Sequence, residues 1–359
     1  MMTFCPRSMW KEQLTTVLET VATMVPNLEA LIIHLPYYSS LQAVLVRVDE
    51  KMLSFIGSLE KLKMIRVSSM TIDFVDLKKI CKKLQSLIYV DVEFVYYGDL
   101  DFGGLEDFRN SFSRLKIFIF DLKNRFHNNA YREEFVKICI GNLPMLQVLQ
   151  GFILGRGGGS TLGPFPMDVE LPSETSSLRH LCINPIARPV HLLFPCVTHL
   201  QVHWRSQKSY TEEEINSLLK FSKVECLSLR SCPSEEDLSK FLSAYGKNLH
   251  TLSISDPLEQ IVKLKFGPIS DSCPQLERLY ICDVEIVDDD DPFECFSELK
   301  YLQWYPSRTS SKRVYLSKIL KAPKLETLIT SGVQYYDVDD LKKVEKLIAA
   351  KQILQELKS

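Results

Sequence analysis

One pattern of hydrophobic positions returns along the whole chain. An apolar residue, usually leucine, is followed three residues later by a second apolar residue. In most copies a third apolar residue comes two positions after the second. Within each copy, apolar and outward positions alternate with a period of two, which predicts a short strand with one buried face. Twelve copies lie between residues 28 and 325, at a mean step of 297/11, or 27, residues. Their first residues are Leu28, Leu62, Leu84, Leu115, Leu146, Leu178, Val197, Val224, Leu249, Leu276, Leu299 and Leu325.

Other positions keep step with this pattern. Two residues before the first position, five copies carry proline, where 17 prolines in 359 residues would place 12 × 17/359, about 0.6, by composition alone. These prolines are Pro26, Pro144, Pro195, Pro274 and Pro323. The residue before that position is mostly apolar, with Thr175 and Gly246 as exceptions.

Helical segments lie between several of the predicted strands. Thr211 and Glu214 form a capping-box pattern ahead of an apolar helical face, and Ser234 precedes a second helix in the same way. A unit of one strand and one helix cannot cover its own apolar side. We therefore predict that neighbouring units stack and share a core that runs lengthwise.

Two stretches carry a more specific resemblance. Residues 271–282 read DSCPQLERLYIC and residues 223–232 read KVECLSLRSC. Cys273 before Pro274, and Cys232 at the ninth repeat position, resemble the cysteine-containing repeats of F-box/leucine-rich repeat proteins; ribonuclease-inhibitor-like repeats remain an alternative. The resemblance covers residues 24–335. It implies an α/β leucine-rich repeat solenoid, a horseshoe of about twelve repeats with a concave parallel sheet and convex helices.

The organisation along the chain follows from this repeat. We expect a solenoid over residues 1–335, with the helix of its first repeat at residues 11–24 and an inserted glycine-rich loop near residues 155–165. The step of 19 residues from Leu178 to Val197 leaves little room for a full helix. Residues 336–359 carry apolar positions at helical spacing and predict a helix that caps the core, with a partner-binding helix as the alternative.

Composition narrows the classes of partner. With 45% hydrophobic residues and a net charge of −2, the chain is neither disordered nor able to attract nucleic acid or an anionic membrane by bulk charge. The ten cysteines include no CxxC pair, so neither a zinc ribbon nor a redox dithiol is present. Because the sequence also lacks a membrane-span pattern and a secretory signal, we expect a cytoplasmic or nuclear protein.

Two loop segments invite a ligand-binding interpretation. Residues 155–161, GRGGGST, lack the lysine of a phosphate-binding loop and do not open a helix, which favours a flexible insertion. Residues 288–291 are four aspartates, but calcium chemistry needs ligands at alternating positions and a closing glutamate. A solvated acidic loop is the better interpretation, with a contact for a basic partner as the alternative.

Two histidines and two cysteines form a candidate metal site. His180, His199, Cys182 and Cys226 fall on one predicted face, and all four are suitable zinc ligands. Three successive strands hold these side chains too far apart to coordinate one ion tetrahedrally, which favours unrelated surface residues.

The sequence gives no catalytic motif. No Ser, His and acid trio and no carboxylate pair can be placed together, so we expect no enzyme and no cofactor.

The outward positions of the later strands are the candidate binding surface. Arginine and tyrosine are the residue types most often found as interface anchors. We therefore predict a protein ligand on the concave face, contacted by Arg230, Arg278, Tyr280, Tyr301, Gln303, Tyr305 and His203.

The resemblance suggests one function and leaves a second open. It implies the substrate-recognition arm of a ubiquitin ligase receptor of the SCF type. No F-box is recognisable before the repeats, so ligase adaptor and cullin would bind only if an F-box is supplied upstream of Met1. The alternative is a stand-alone binding or inhibitor module with no ubiquitin role. In either case we expect a monomer without nucleic-acid or membrane partners.

Overall fold

A computed structural model describes residues 7–34, 46–124, 129–149, 176–204, 209–256, 263–286, 292–306, 315–330 and 338–350. The chain divides into two compact units. The first comprises Met1–Gly151 and Asp168–Leu178, and the second comprises Phe152–Met167 and Arg179–Ser359. Each unit has its own parallel sheet, so the prediction of one solenoid over residues 1–335 stays a prediction.

The first unit alternates helices and strands. Its helices are α1 (Arg7–Met24), α2 (Glu50–Ser58), α3 (Phe74–Lys83), α4 (Leu105–Phe112) and α5 (Asn129–Asn142). Its strands are β1 (Ala30–His34), β2 (Val46–Arg47), β3 (Met64–Asp73), β4 (Tyr89–Tyr96), β5 (Ile117–Asn124) and β6 (Val148–Leu149). The strand order is β1-β3-β4-β5-β6, with β2 paired to β3, and every pair is parallel.

The second unit repeats the same arrangement. Its strands are β7 (His180–Ile183), β8 (His199–His203), β9 (Cys226–Arg230), β10 (Thr251–Ser255), β11 (Lys263–Leu264), β12 (Arg278–Ile286), β13 (Tyr301–Pro306) and β14 (Thr327–Thr330). Its helices are α6 (Val190–Leu193), α7 (Glu212–Leu218), α8 (Glu235–Tyr245), α9 (Phe266–Ser272), α10 (Leu316–Ile319) and α11 (Val338–Ala349), with 3-10 turns at Gly246–Asn248 and Pro292–Cys295. The order is β7-β8-β9-β10-β12-β13-β14, with β11 paired to β12.

The register confirms the predicted leucine core. The second apolar positions of successive repeats lie directly opposite one another, as Leu200, Leu227 and Leu252 do on three neighbouring strands. All three of these leucines are fully buried. Because strand side chains alternate between faces, the intervening residues point away from this core. Both sheets are therefore built from leucine-rich repeats.

A recurring turn explains the apolar residue that precedes most strands and the proline that follows it in five copies. The N–H of the first repeat residue donates to the carbonyl three residues earlier, as Leu276 does to Cys273 at 3.2 Å and Val197 to Phe194 at 3.3 Å. Proline then occupies the second position of the turn, where its fixed φ is favourable. The apolar residue that begins the turn faces the core; Cys273 and Phe194 are both buried.

The third repeat begins at Leu87, so the predicted start at Leu84 was wrong by three residues. Val90, rather than Leu87, pairs with Ile65 and with Phe118 of the flanking strands. Leu84 instead begins the turn, because its carbonyl accepts the Leu87 N–H at 3.1 Å. A repeat that starts at Leu84 and one that starts at Leu87 both fit the apolar pattern. The observed strand pairing identifies Leu87 as the start.

The helix predictions were largely correct. Thr211 and Glu214 form both hydrogen bonds of a capping box at the start of α7, and the Ser234 side chain accepts the Asp237 N–H at the start of α8. The short step after Leu178 holds only the four-residue helix α6. Helix α11 packs against α10, whereas its predicted role as a cap of the core remains a prediction.

Candidate functional site

The outward side chains of the second sheet form three parallel rows. The first row contains His180, His199, Cys226, Thr251, Arg278, Tyr301 and Thr327. The second contains Cys182, Gln201, Ser228, Ser253, Tyr280, Gln303 and Ile329. The third contains His203, Arg230, Ser255, Cys282 and Tyr305. We call the surface formed by these three rows the second concave face.

An aromatic corner lies on β12 and β13. The rings of Tyr280 and Tyr301 pack at a centroid distance of 5.1 Å and an angle of 37°. The Tyr301 hydroxyl lies 3.1 Å from Gln303 Oε1, to which it can donate. Tyr280 and Gln303 are only 8% and 5% exposed, because the large side chains of adjacent strands cover one another. Burial raises the pKa of Tyr280, so its phenol is neutral at physiological pH.

The two arginines of this face are its most available cations. Arg278 is exposed and Arg230 is partly exposed. Within the residues that the structure describes, no carboxylate forms an ion pair with either arginine. Glu277, the acid next to Arg278 in sequence, is instead engaged by Lys300 at 2.8 Å.

A cluster of imidazoles and polar groups lies at the other end of the face. His203 Nε2 lies 2.7 Å from Gln201 Nε2 and 3.9 Å from the sulfur of Cys182. The side-chain amide of Asn184 donates to the His203 carbonyl at 2.6 Å. Burial, assisted by the positive charge of Arg230, lowers the pKa of His203 to about 4. His203 is therefore neutral at pH 7, and at 9% exposure it does not protrude from the face.

The structure does not bring the four candidate zinc ligands together at one point. His180 and His199 stack on each other, and Cys182 is directed toward His203 instead. Burial raises the pKa of the Cys226 thiol, which opposes the thiolate that a metal would need. Among the described residues, no group of three or more His, Cys, Asp or Glu side chains could hold an ion.

Small hydroxyl side chains occupy the middle of the face. Ser228, Thr251, Ser253 and Ser255 lie on β9 and β10, between the imidazole cluster and the aromatic corner. Three of them are buried and Ser255 is partly exposed. Sequence analysis named the anchors and gave no role to these residues, although the short side chains of TLSIS in residues 251–255 were the available signal.

The face of the first sheet carries charges of both signs. Its outward positions include Asp91, Glu93 and Asp121, which lie on β4 and β5. Arg66 pairs with Asp91 at 3.1 Å. Burial nevertheless raises the pKa of Asp91, against the opposing effect of Arg66. Sequence analysis missed these carboxylates, for which the alternating acids of VDVEF in residues 90–94 were the signal.

Two predicted loop features lie outside the described residues: the glycine-rich segment near residues 155–165 and the aspartates at residues 288–291. No helix in the described ranges is both long enough and apolar enough to cross a membrane.

Comparisons with known proteins give structural likenesses only. No protein-family model matches the chain, and no curated protein matches it. An internalin of Listeria monocytogenes is 12% identical, with 94% of this chain and 79% of the internalin covered at a TM-score of 0.38. A chain of the yeast Rad7 and Elc1 complex is 13% identical, with 92% of this chain and 85% of that chain covered at a TM-score of 0.49. A leucine-rich repeat protein of Leptospira interrogans is 12% identical, with 92% of this chain and 96% of that protein covered at a TM-score of 0.34. With TM-scores below 0.5, the assignment of the fold rests on the strand register described above.

Proposed function

We propose that this chain is a non-catalytic protein-binding scaffold that takes its partner on the second concave face. The observation that carries the proposal is the juxtaposition of Arg278 with Tyr301, which pair in register on neighbouring strands beside Tyr280. Arginine and tyrosine combine a large contact area with donor groups, and both are enriched among residues that dominate binding energy. A parallel repeat sheet supplies the extended, rigid surface on which such anchors act.

The candidate residues divide by exposure into two groups. Arg278, Tyr301, Tyr305 and Arg230 keep accessible surface and are proposed to contact the partner. Tyr280, Gln303 and His203 are each below 10% exposed and are proposed to hold those anchors in place. Removing the Tyr280 ring would therefore also cost stability, so substitutions at Arg278 and Tyr301 test binding more cleanly.

The finer proposal is that the partner is a substrate for ubiquitination. Its support is the resemblance of Cys232 and Cys273, with Pro274, to the cysteine-containing repeats of F-box/leucine-rich repeat proteins. In this role the chain works in the cytoplasm or nucleus as a monomer. It reaches ligase adaptor and cullin only through an F-box supplied upstream of Met1. The second candidate is a stand-alone binding or inhibitor module, which needs the same concave face and no ligase.

Affinity capture with quantitative mass spectrometry tests the shared part of both candidates. We expect the double variant Arg278→Ala/Tyr301→Ala to lose partners that the unaltered chain retains, with little change in the melting temperature. The matched control is Glu236→Ala/Lys240→Ala, which removes an ion pair of 3.0 Å on helix α8, away from the sheet. Equal capture by all three proteins would contradict concave-face binding.

A second measurement separates the two candidates. The coding sequence upstream of Met1 is read for an F-box, and the protein it encodes is purified and probed for adaptor and cullin. Co-purification of both supports the ligase role. If no F-box is found and neither protein is captured, the stand-alone module is favoured.

A further inference from the structure

Charge is distributed asymmetrically on the second concave face. The three rows contain no aspartate or glutamate, and their only lysine or arginine residues are Arg230 and Arg278. The histidines add no charge near pH 7, because burial lowers the pKa of His180 and His203 to about 4 and also lowers that of His199. A chain with a net charge of −2 thus presents a locally cationic surface.

The two arginines face each other across a low floor. Arg230 is at the end of β9 in the third row, and Arg278 is at the start of β12 in the first row, with Ser253 of β10 between them. Two strand spacings and four residues along the strand separate their Cα atoms by roughly 16 Å. The hydroxyl side chains between them are short, so the guanidinium groups have room to turn toward a ligand that lies on this floor.

Two guanidinium groups that form no ion pair with a described carboxylate, in rows without acidic residues, favour an anionic ligand. Arginine binds carboxylate through two parallel hydrogen bonds, which are stronger than those between neutral groups. The partly exposed hydroxyl of Ser255, on the strand between them, provides a further donor. An extended peptide rises about 3.3 Å per residue, so roughly five residues span the two arginines.

We propose that the second concave face recognises an acidic peptide segment of a protein partner, with carboxylates held by Arg230 and Arg278. This inference rests on the proposed function, because it states the chemistry of the partner that the same face binds. A basic segment is repelled by both arginines. A nucleic-acid strand would bring a continuous line of phosphates to a face that offers only two separated cations.

The test uses the full chain and fluorescein-labelled probes in an anisotropy titration. Three twelve-residue peptides alternate serine with glutamate, glutamine or lysine, and a fourth probe is a twelve-nucleotide oligo-dT strand. We expect the glutamate peptide to bind at least tenfold more tightly than each of the others. Its affinity should fall as salt is raised from 50 to 300 mM, because charge attraction is screened.

Charge-neutralising variants locate the binding site. We expect Arg230→Gln and Arg278→Gln each to weaken glutamate-peptide binding by tenfold or more. Lys220→Gln is the matched control, because it removes one exposed cation that follows helix α7, and we expect unchanged affinity. Melting temperatures of all three variants confirm that folding is retained.

The outcomes separate this inference from the proposed function. Equal affinity for the glutamate and glutamine peptides, tighter binding of oligo-dT, or equal losses in Lys220→Gln would overturn the acidic-segment inference. If that happens while Arg278→Ala/Tyr301→Ala still loses its protein partners, concave-face binding stands with a different partner chemistry. If the double variant keeps its partners, the proposed function itself fails.

Discussion

The imidazole rings of His180 and His199 stack face to face, with centroids 4.0 Å apart and an angle of 19° between their planes. The two residues pair in register on β7 and β8, so the sheet spacing imposes the contact. Two protonated imidazoles at this distance would repel each other. Burial, the nearby His199 and the charge of Arg179 together lower the pKa of His180 from 6.5 to about 4.

This stack predicts a loss of stability in mild acid. Between pH 6.5 and 4 the unfolded chain binds a proton at His180 that the folded chain does not, so the free energy of unfolding falls as pH falls. A shift of this size corresponds to about 2 kcal/mol between pH 7 and pH 5. Urea unfolding of the unaltered chain and of His180→Gln at both pH values measures it. We expect a smaller pH dependence in the variant, and equal dependence would refute the assignment.

A cluster of aromatic rings around Phe135 forms the core of the first unit. Phe135 is fully buried, and six rings surround it at centroid distances of 4.8 to 5.7 Å: Phe74, Phe94, Phe102, Phe108, Phe118 and Phe120. We expect Phe135→Ala to lower the free energy of unfolding by about 3–5 kcal/mol, because it leaves a large cavity. Phe135→Leu should cost clearly less. Urea titration compares the two, and a loss below about 1 kcal/mol in the alanine variant would contradict this account.

The strands were predictable because the repeat constrains them twice. The apolar pattern places a strand after each turn, and in five copies a proline also marks the turn; every predicted copy has a strand among the described residues. The error at Leu84 arose where no proline marks the turn. The LQSL sequence of residues 84–87 allows the repeat to start at either Leu84 or Leu87. Only the pairing of Val90 with Ile65 in the structure shows that it starts at Leu87.

The candidate site was less predictable from the sequence. The alternation of apolar and polar positions along a strand identifies which side chains point away from the core. It does not give their exposure, which depends on the side chains of neighbouring strands. Tyr280 and His203 are outward in sequence and nearly buried in the structure, since Tyr301 and Gln201 pack against them. Likewise, the lack of acidic residues in the three rows of the second face depends on which residues the register aligns, and a net charge near zero does not reveal it.

Helix α11 supplies the cap that helix α10 lacks. No side chain of α10 caps its own start, but Ser317 N–H donates to Asp340 Oδ2 at 3.0 Å, and the Ser317 hydroxyl donates to the second oxygen. Asp340→Ala leaves these buried donors unsatisfied, which we expect to cost about 1–3 kcal/mol. Hydrogen exchange should become faster in residues 341–349.

The neighbouring residue provides the control for this substitution. Asp339 lies in the same first turn of α11, its side chain is 90% exposed, and it pairs with Lys342 at 3.1 Å. An exposed ion pair contributes little, so we expect Asp339→Ala to change the unfolding free energy by less than about 1 kcal/mol. If the two variants behave alike, the contact with Ser317 does not hold α11 in place.

Two glycines with helical backbones should respond to alanine in opposite directions. Gly246 stands where most repeats carry an apolar residue at the start of the turn, and its φ of −49° is open to any residue. A Cβ there would lie 2.3 Å from the Ser272 carbonyl oxygen, because the end of helix α9 crosses this position. In contrast, a Cβ on Gly141 of helix α5 would meet nothing within 4 Å.

We therefore expect Gly246→Ala to lower the melting temperature, because the added Cβ would clash with the Ser272 carbonyl. We expect Gly141→Ala to raise the free energy of unfolding by about 0.5–1 kcal/mol, since alanine restricts the unfolded chain. Thermal unfolding of both variants decides the matter: a Gly246→Ala protein as stable as the unaltered chain would mean that the backbones of adjacent repeats do not approach this closely.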